Sequence, residues 1–253
     1  MTNQILLRSD DLGYSRGVNY GTLDAVHRGL IHNVGIMVNM PFAEDGYKLI
    51  KDENVAFGLH TNISNGRPLT DPKLIPSITT PDGYFKSSKT YRSAKEDFVN
   101  LDEVMLEIEA QYQRFVQMTG QKPTYFEGHA VVSDNFVKGM KLVAKKHHAH
   151  YLGFTLDGSD IPFGRVKFKT VFESMYPDTY NPVETVKRAA EYSKIHDDLP
   201  MIIFHCGYLD QYILDHSSMT ITRPKESEAS CSQELAKWLE DNNIELVRYD
   251  QLY

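Results

Sequence analysis

Cysteine is scarce in this sequence, and long apolar runs are absent. The two cysteines, Cys206 and Cys231, are too few for a disulfide framework, which is consistent with a reducing compartment. No apolar segment approaches the roughly 20 residues that a membrane helix needs. The N-terminus also lacks the basic and apolar regions of a signal peptide. We therefore expect a cytoplasmic protein without a membrane partner.

Positive charge is limited as well. The net charge of −7 at pH 7 leaves no basic surface of the kind that neutralises nucleic-acid phosphates, so no nucleic-acid partner is expected. The share of hydrophobic residues, 41%, is ordinary for a globular protein, and the length of 253 residues allows a large core. Because no repeat, low-complexity tract or linker divides the sequence, we expect a single domain over residues 1–253.

Short apolar runs alternate with amphipathic segments along most of the chain. Patterns typical of strands cover 4–8, 34–38, 55–59, 124–126, 151–155, 201–204 and 245–248. Helical periodicity and capping residues predict helices near 16–28, 101–119, 135–147, 182–196 and 232–242. Such alternation, with about seven strands, predicts an α/β fold with a parallel sheet. It does not by itself separate a closed barrel from an open, doubly wound sheet.

Two segments resist this interpretation. Residues 61–99 form a long polar stretch without clear periodicity, and loops of that length in compact domains are usually functional or disordered. Residues 160–180 give no clear pattern.

Polar side chains recur where the predicted strands end, which favours the barrel. They are Asp10, Asp11, Asn39, His60, His129 and His205. In (β/α) barrels the active site is built at the carboxyl ends of the strands. We therefore expect these residues, which are distant in sequence, to meet at one end of the barrel.

One carboxylate and two imidazoles can hold a divalent metal ion and leave positions open for water and substrate. Asp11, His60 and His129 are the candidates for such a set. Asp10, next to one ligand, is placed to take a proton from water, and His205 to give one to a leaving group. Together they predict a metal-dependent hydrolase.

Simpler interpretations exist for the same residues. A single histidine at a strand end is as often a hydrogen-bonding residue as a ligand, and paired acids often only begin a loop or helix. Successive side chains of a regular strand point to opposite faces, so only one of Asp10 and Asp11 would face the site. The hypothesis therefore requires a bend, which we attribute to Gly13.

The sequence also resembles a known family, the YdjC-like carbohydrate deacetylases. Five segments match its motifs in order: 9–13 (Ser-Asp-Asp-Leu-Gly), 58–60 (Gly-Leu-His), 66–70 (Gly-Arg-Pro-Leu-Thr), 123–129 (Pro-Thr-Tyr-Phe-Glu-Gly-His) and 204–210, which ends in Asp210. The resemblance implies a distorted TIM-like barrel, a divalent metal such as magnesium or zinc, and often a homodimer. It assigns the metal to Asp11, His60 and His129.

By the same resemblance, Asp10 corresponds to the base and His205 to the acid. The implied reaction is removal of an N-acetyl group from an acetylated amino sugar or oligosaccharide, with release of acetate. Candidate substrate contacts come from aromatic residues and motif neighbours: Tyr14, Asn39, Arg67, Tyr84, Phe85 and Asp210.

The chain departs from the family pattern after His129. The family usually continues as His-His-Val-His, whereas residues 130–133 read Ala-Val-Val-Ser, and Cys206 follows His205 in place of proline. The lost imidazoles leave two alternatives open. One is a sugar-binding or regulatory protein without catalysis, and the other is a metal-dependent hydrolase of a different amide or ester.

Overall fold

The strands form one curved sheet in the computed structural model, which describes residues 3–253. They are β1 (Gln4–Leu12), β2 (Asn33–Ile36), β3 (Ala56–Thr61), β4 (Tyr125–Gly128), β5 (His150–Tyr151), β6 (Ile161–Phe163), β7 (Val166–Val171), β8 (Leu199–Phe204) and β9 (Glu245–Leu246). The sheet order is β5-β4-β3-β2-β1-β8-β7-β6, and β9 pairs with the beginning of β1. All neighbours are parallel except β6 and β7. The sheet curls into a nearly closed barrel, which confirms the predicted distorted α/β barrel.

Helices connect most of the parallel strands. They are α1 (Arg16–His27), α2 (Ala43–Ile50), α3 (Ser88–Ser93), α4 (Leu101–Thr119), α5 (Asp134–Lys146), α6 (Pro182–Ser193), α7 (Gln211–His216), α8 (Thr222–Ser230) and α9 (Gln233–Asp241). Asn100 caps the longest of them, α4, and Gly120 ends it with φ 73°. Both caps were predicted and are confirmed. Among residues 3–253 no helix is long and apolar enough to cross a membrane.

The sequence interpretation was incomplete after residue 150. The segment 160–180 holds the β6–β7 hairpin, and neither α7 nor α8 was predicted. Helix α8 is poorly amphipathic because it buries polar side chains, among them Arg223 and Glu226. Hydrophobic periodicity therefore could not reveal it.

The long segment 61–99 is ordered by polar contacts with α4. The buried Glu107 carboxylate accepts hydrogen bonds from the backbone N–H groups of Leu69 and Thr70. Gln111 exchanges two hydrogen bonds with the backbone of Asn62. These contacts fix the part of the segment that directly follows β3, next to the candidate site.

The two faces of the sheet carry different layers. Ile5 and Leu7 belong to the large apolar core between the sheet and the helices, whereas Leu6 belongs to a second cluster, with Tyr125 and Met201, on the inner face. Because strand side chains alternate, Arg8 and Asp10 of β1 and Glu127 of β4 also lie on the inner face, and His205 follows β8 four positions after Met201. Those positions bring polar groups to the carboxyl ends of the strands.

Candidate metal centre

An irregularity in β1 lets both acids of the Asp-Asp pair reach the inner face. Ser9 pairs with Val34 and Leu12 pairs with Ile36. Between these two pairs, β1 contains one residue more than β2. This is a β-bulge, and Asp11 occupies it with φ 75°, a left-handed conformation that costs a non-glycine residue about 1–2 kcal/mol. Both carboxylates are about 1% exposed. The expected bend therefore begins at Asp11, before Gly13.

Three ligand-type atoms from three strands meet above the bulge. Asp11 Oδ1 lies 3.1 Å from His60 Nε2 and 2.9 Å from His129 Nδ1, and these two nitrogens are 2.9 Å apart. Although Asp11 Oδ1 is buried, its contacts with the two histidine nitrogens lack hydrogen-bond geometry, and no other group among residues 3–253 bonds to it. A buried carboxylate oxygen without a partner is costly, and a cation bound there would remove that cost. The residues present thus fit a metal ion.

Arg223 holds the other oxygen of Asp11. Its Nη2 donates to Asp11 Oδ2 at 2.7 Å, and its Nη1 donates to the backbone oxygen of His205. Burial alone would raise the pKa of Asp11, but His129 and Arg223 outweigh it and hold that pKa well below its usual range. Asp11 is therefore ionised, as a metal ligand must be.

His60 is oriented from its far side by a carboxylate. Its Nδ1 makes a short hydrogen bond with Glu127 Oε1, which leaves Nε2 pointing toward Asp11 and His129. Burial opposes the charged ring, but Glu127 and Asp10 raise the pKa of His60 well above its ordinary value. A carboxylate behind a histidine is the usual arrangement at metal sites, where it fixes the tautomer and ring direction.

Asp10 shares a cation with Glu127. Arg8 Nη2 lies 2.6 Å from Asp10 Oδ2 and 3.2 Å from Glu127 Oε2, and the side chains of all three residues are at most 5% exposed. Asp10 Oδ1 has no hydrogen-bond partner among the residues that the structure describes. Burial raises the pKa of Asp10 to about 7. A carboxyl group with a free oxygen and a pKa near neutrality has the properties of a general base.

The backbone of β2 leaves room for these acids only because it has a glycine there. A Cβ on Gly35 would lie 2.8 Å from Asp10 Oδ1 and 3.2 Å from both Glu127 Oε1 and the Cβ of His60. Any side chain at this position would displace at least one of the three residues.

His205 follows β8 and is buried near the same cluster. Its backbone N–H donates to Glu226, whereas its Nδ1 has no hydrogen-bond partner. Burial lowers the pKa of His205 to about 3, and the neighbouring Arg223 contributes to the decrease. The ring is therefore neutral at pH 7 and must first receive a proton before it can donate one.

Two of the six predicted substrate contacts lie beside the cluster. The Tyr14 ring is 6.1 Å from the His129 ring, and its hydroxyl contacts Asn65. Asn39 donates to the backbone oxygens of Asn65 and Arg67, and so supports the loop that follows β3.

The other four predicted contacts have structural partners. Arg67 stacks its guanidinium over the Tyr84 ring at 4.0 Å, and both side chains are exposed. Phe85 lies in the main apolar core with only 5% exposure, which is too little for a sugar platform. Asp210 caps α7 and accepts a hydrogen bond from the backbone of Gly17.

Sequence reasoning missed the residues that support the ligands and the proposed base and acid: Arg8, Asn65, Glu127, Arg223 and Glu226. Strand alternation could have found two of them, since Arg8 precedes Asp10 and Glu127 precedes His129 by two positions. Arg223 and Glu226 gave no signal, because they reach the site from a helix that hydrophobic periodicity does not reveal.

Comparison with known proteins now adds to this geometry. A model of the YdjC-like protein family matches residues 4–241. The chain belongs to this family. A relative from Listeria innocua named carbohydrate deacetylase 2 is 30% identical over 262 aligned residues, which cover 98% of each chain.

Solved structures share the fold of this YdjC-like chain. A crystal structure from Enterococcus faecalis V583, of a protein named for cellobiose-phosphate cleavage, has a TM-score of 0.82 at 18% identity and covers 100% of this chain and 99% of its own. The Bc1960 peptidoglycan N-acetylglucosamine deacetylase has a TM-score of 0.55 at 12% identity and covers 100% and 88%. At these identities the likeness concerns the fold alone.

Proposed function

We propose that the protein is a metal-dependent carbohydrate deacetylase that removes an N-acetyl group from an amino sugar. The observation that carries the proposal is the convergence of Asp11, His60 and His129 around a buried carboxylate oxygen for which the described part of the chain provides no well-aligned hydrogen bond. The full-length similarity to a carbohydrate deacetylase supports the substrate class. Of the two metals suggested by the resemblance, the two imidazole ligands favour zinc over magnesium, which prefers oxygen ligands.

The proposed chemistry divides between the ion and the chain. A divalent cation on Asp11, His60 and His129 would lower the pKa of water and polarise the substrate's acetyl carbonyl. Asp10, through its free Oδ1, takes the proton of the attacking water. Arg8 keeps the other oxygen of Asp10 in place.

The departing amine needs a proton, and His205 is proposed to pass it. The ring is neutral in the free protein, so the proton that Asp10 takes from water must reach it during the reaction, before it passes to the amine. Negative charge that develops on the attacked carbonyl nearby would raise the pKa of His205 and favour that gain. Asp10 thus receives the water proton first, His205 carries it next, and the amine takes it as it leaves, so both residues return to their starting states.

Acetate release tests the proposal. The protein is incubated with N-acetylglucosamine oligomers and zinc, and acetate is measured with and without a chelator. We expect release that is abolished by the chelator and by His129→Ala, and reduced by at least about 100-fold in Asp10→Asn, the size of a general-base contribution. Arg188→Met, which removes a surface ion pair and a 3.4 Å contact with Thr185, is the matched control.

Other outcomes distinguish the alternatives. Sugar binding without acetate release would favour a binding or regulatory protein. Release of acid from another amide or ester, but from no acetylated sugar, would retain the hydrolase and overturn the substrate class.

A further inference from the structure

His129 has a side-chain partner on the nitrogen that faces away from the metal ligands. Its Nδ1 lies 2.9 Å from Asp11 Oδ1, whereas its Nε2 lies 2.8 Å from the side-chain amide nitrogen of Asn65. Asn65 comes from the loop after β3, on the side of His129 opposite the ligand cluster. The two histidine ligands are thus supported differently, His60 by the Glu127 carboxylate and His129 by an amide.

The position of the proton on His129 determines which atom of the Asn65 amide must face Nε2. A neutral imidazole carries one proton, so an Nδ1 that binds a metal leaves the proton on Nε2, where it needs an acceptor. An amide nitrogen is itself a donor and cannot accept it. Because an amide keeps nearly the same shape after a half-turn, its hydrogen bonds determine its orientation. Asn65 must therefore present Oδ1 to Nε2 when His129 is a ligand.

The half-turn leaves every neighbouring group satisfied. Asn65 Nδ2 then donates to the Tyr14 hydroxyl across the 3.2 Å contact, and that hydroxyl donates to the backbone oxygen of His216 at 3.1 Å. Ser64 Oγ, 3.4 Å from the amide, can donate to Oδ1. Each group in this series then donates to the next: His129 donates to Asn65, Asn65 to the Tyr14 hydroxyl, and Tyr14 to the backbone of α7.

The backbone of Asn65 is held firmly enough for this role. Its N–H donates to the side chain of Asn62 at 3.0 Å. Its carbonyl oxygen accepts from Asn62 at 2.7 Å and from Asn39 at 3.1 Å. The side chain therefore projects toward His129 from a fixed point, which is a requirement for orienting a ligand.

We propose that Asn65 and Tyr14 are positioning residues that keep His129 in the tautomer with its proton on Nε2 and thereby make Nδ1 the metal ligand. This inference rests on the metal site of the proposed function. It reassigns Tyr14, which the sequence suggested as a sugar contact, to the support of a ligand.

Zinc affinity of Asn65 variants tests the proposal. Asn65→Asp keeps an acceptor for the Nε2 proton, and we expect zinc affinity within about threefold of wild type or tighter. Asn65→Leu removes the acceptor, and we expect a 10- to 100-fold loss, as for other outer partners of metal ligands. Tyr14→Phe should weaken binding by an intermediate factor, and Lys73→Met, an exposed control in the same 61–99 segment, should change it by less than about twofold. Competition with a chromophoric chelator gives the constants.

A second measurement reads the tautomer directly. Nitrogen-15 spectra of histidine-labelled, zinc-loaded protein distinguish a proton on Nε2 from one on Nδ1. We expect His129 to carry it on Nε2 in wild type and in Asn65→Asp, and to populate both forms in Asn65→Leu. Thermal unfolding of each variant shows whether the fold is retained.

Three results would overturn the inference: an Nδ1 proton on His129 in wild type, unchanged zinc affinity in Asn65→Leu, or an equal loss in Asn65→Asp and Asn65→Leu. A wild-type protein that binds no zinc would refute both this inference and the proposed function. Zinc binding with the expected pattern but without acetate release would refute the deacetylase alone.

Discussion

Arg8 offers a quantitative test of the charge arrangement beneath the metal site. Its guanidinium lies 2.6 Å from Asp10 Oδ2 and 3.2 Å from Glu127 Oε2, and it is 4% exposed at the side chain. Arg8→Met keeps most of the apolar stem and removes the cation. The variant then buries two carboxyl groups whose shared cation is gone.

The expected loss follows from these distances. At an effective dielectric of about 20, the two attractions amount to about 6 and about 5 kcal/mol before desolvation. The cost of burying Arg8 offsets much of this, and removal of one partner from a buried ion pair typically costs about 3–5 kcal/mol. Glu127 keeps His60 as a partner, so Asp10 bears most of the loss.

The loss should depend on pH. The pKa of Asp10, raised to about 7 by burial, exceeds that of an unfolded aspartate, about 3.9. The folded protein therefore binds the extra proton, and the contribution of Asp10 to stability falls as the pH rises from about 4 to about 7. Without Arg8 the pKa rises further and the fall extends to higher pH. We expect a destabilisation of about 3–5 kcal/mol at pH 8, and at least 1 kcal/mol less at pH 5, where Asp10 is protonated in both proteins.

Urea unfolding of metal-free protein at pH 5 and pH 8 measures the difference. Arg188→Met is the matched control, because it removes an arginine from an exposed pair with Glu173 and should cost about 0–1 kcal/mol at both pH values. An Arg8→Met variant that loses the same free energy at pH 5 and pH 8, or no more than the control, would refute the reasoning.

Three further predictions concern other parts of the molecule. Zinc affinity should fall as the pH decreases, because the raised pKa of His60 means that a proton competes with the ion. Binding calorimetry in buffers of different ionisation enthalpy should show that zinc binding releases protons. Glu107→Leu leaves two backbone N–H groups without their acceptor, so it should cost about 1–3 kcal/mol in urea unfolding and speed proteolysis of the 61–99 segment, whereas Glu107→Gln should lose less. Asn100→Ala removes the cap of α4 and should lower the free energy of unfolding by about 1 kcal/mol without changing zinc affinity.

Patterns with a fixed period could be predicted from the sequence, and exceptions to them could not. Apolar runs and caps located most strands and helices, and the ends of β3, β4 and β8 indicated which histidines converge. The bulge at Asp11 was inaccessible, because a single extra residue in a strand leaves no periodic signature. The β6–β7 hairpin was missed for a related reason, since only one of its strands is well buried and the alternation is weak.

The side chains that support the metal ligands and the base show a second limit of prediction from the sequence. Glu127 and Arg8 could be placed on the inner face by alternation, but their pairing depends on the curvature that brings β1 and β4 within reach of one guanidinium. Asn65 lies on a loop whose path is set by contacts with α4 and with Asn39, which follows β2. Side chains that act through another residue therefore required the three-dimensional structure.

The charges of the inner face explain why such a crowded group of acids is tolerable. Asp10, Asp11 and Glu127 carry three negative charges when ionised, and Arg8 and Arg223 supply two positive ones. One negative charge is left over, and the raised pKa of His60 shows that the metal-free protein meets it with a proton. A divalent ion with two neutral histidines would instead leave one positive charge, which suits the oxyanion that forms when an amide carbonyl is attacked. The two arginines thus set a balance in which the metal-free site retains a proton on His60 and the occupied site favours negative charge.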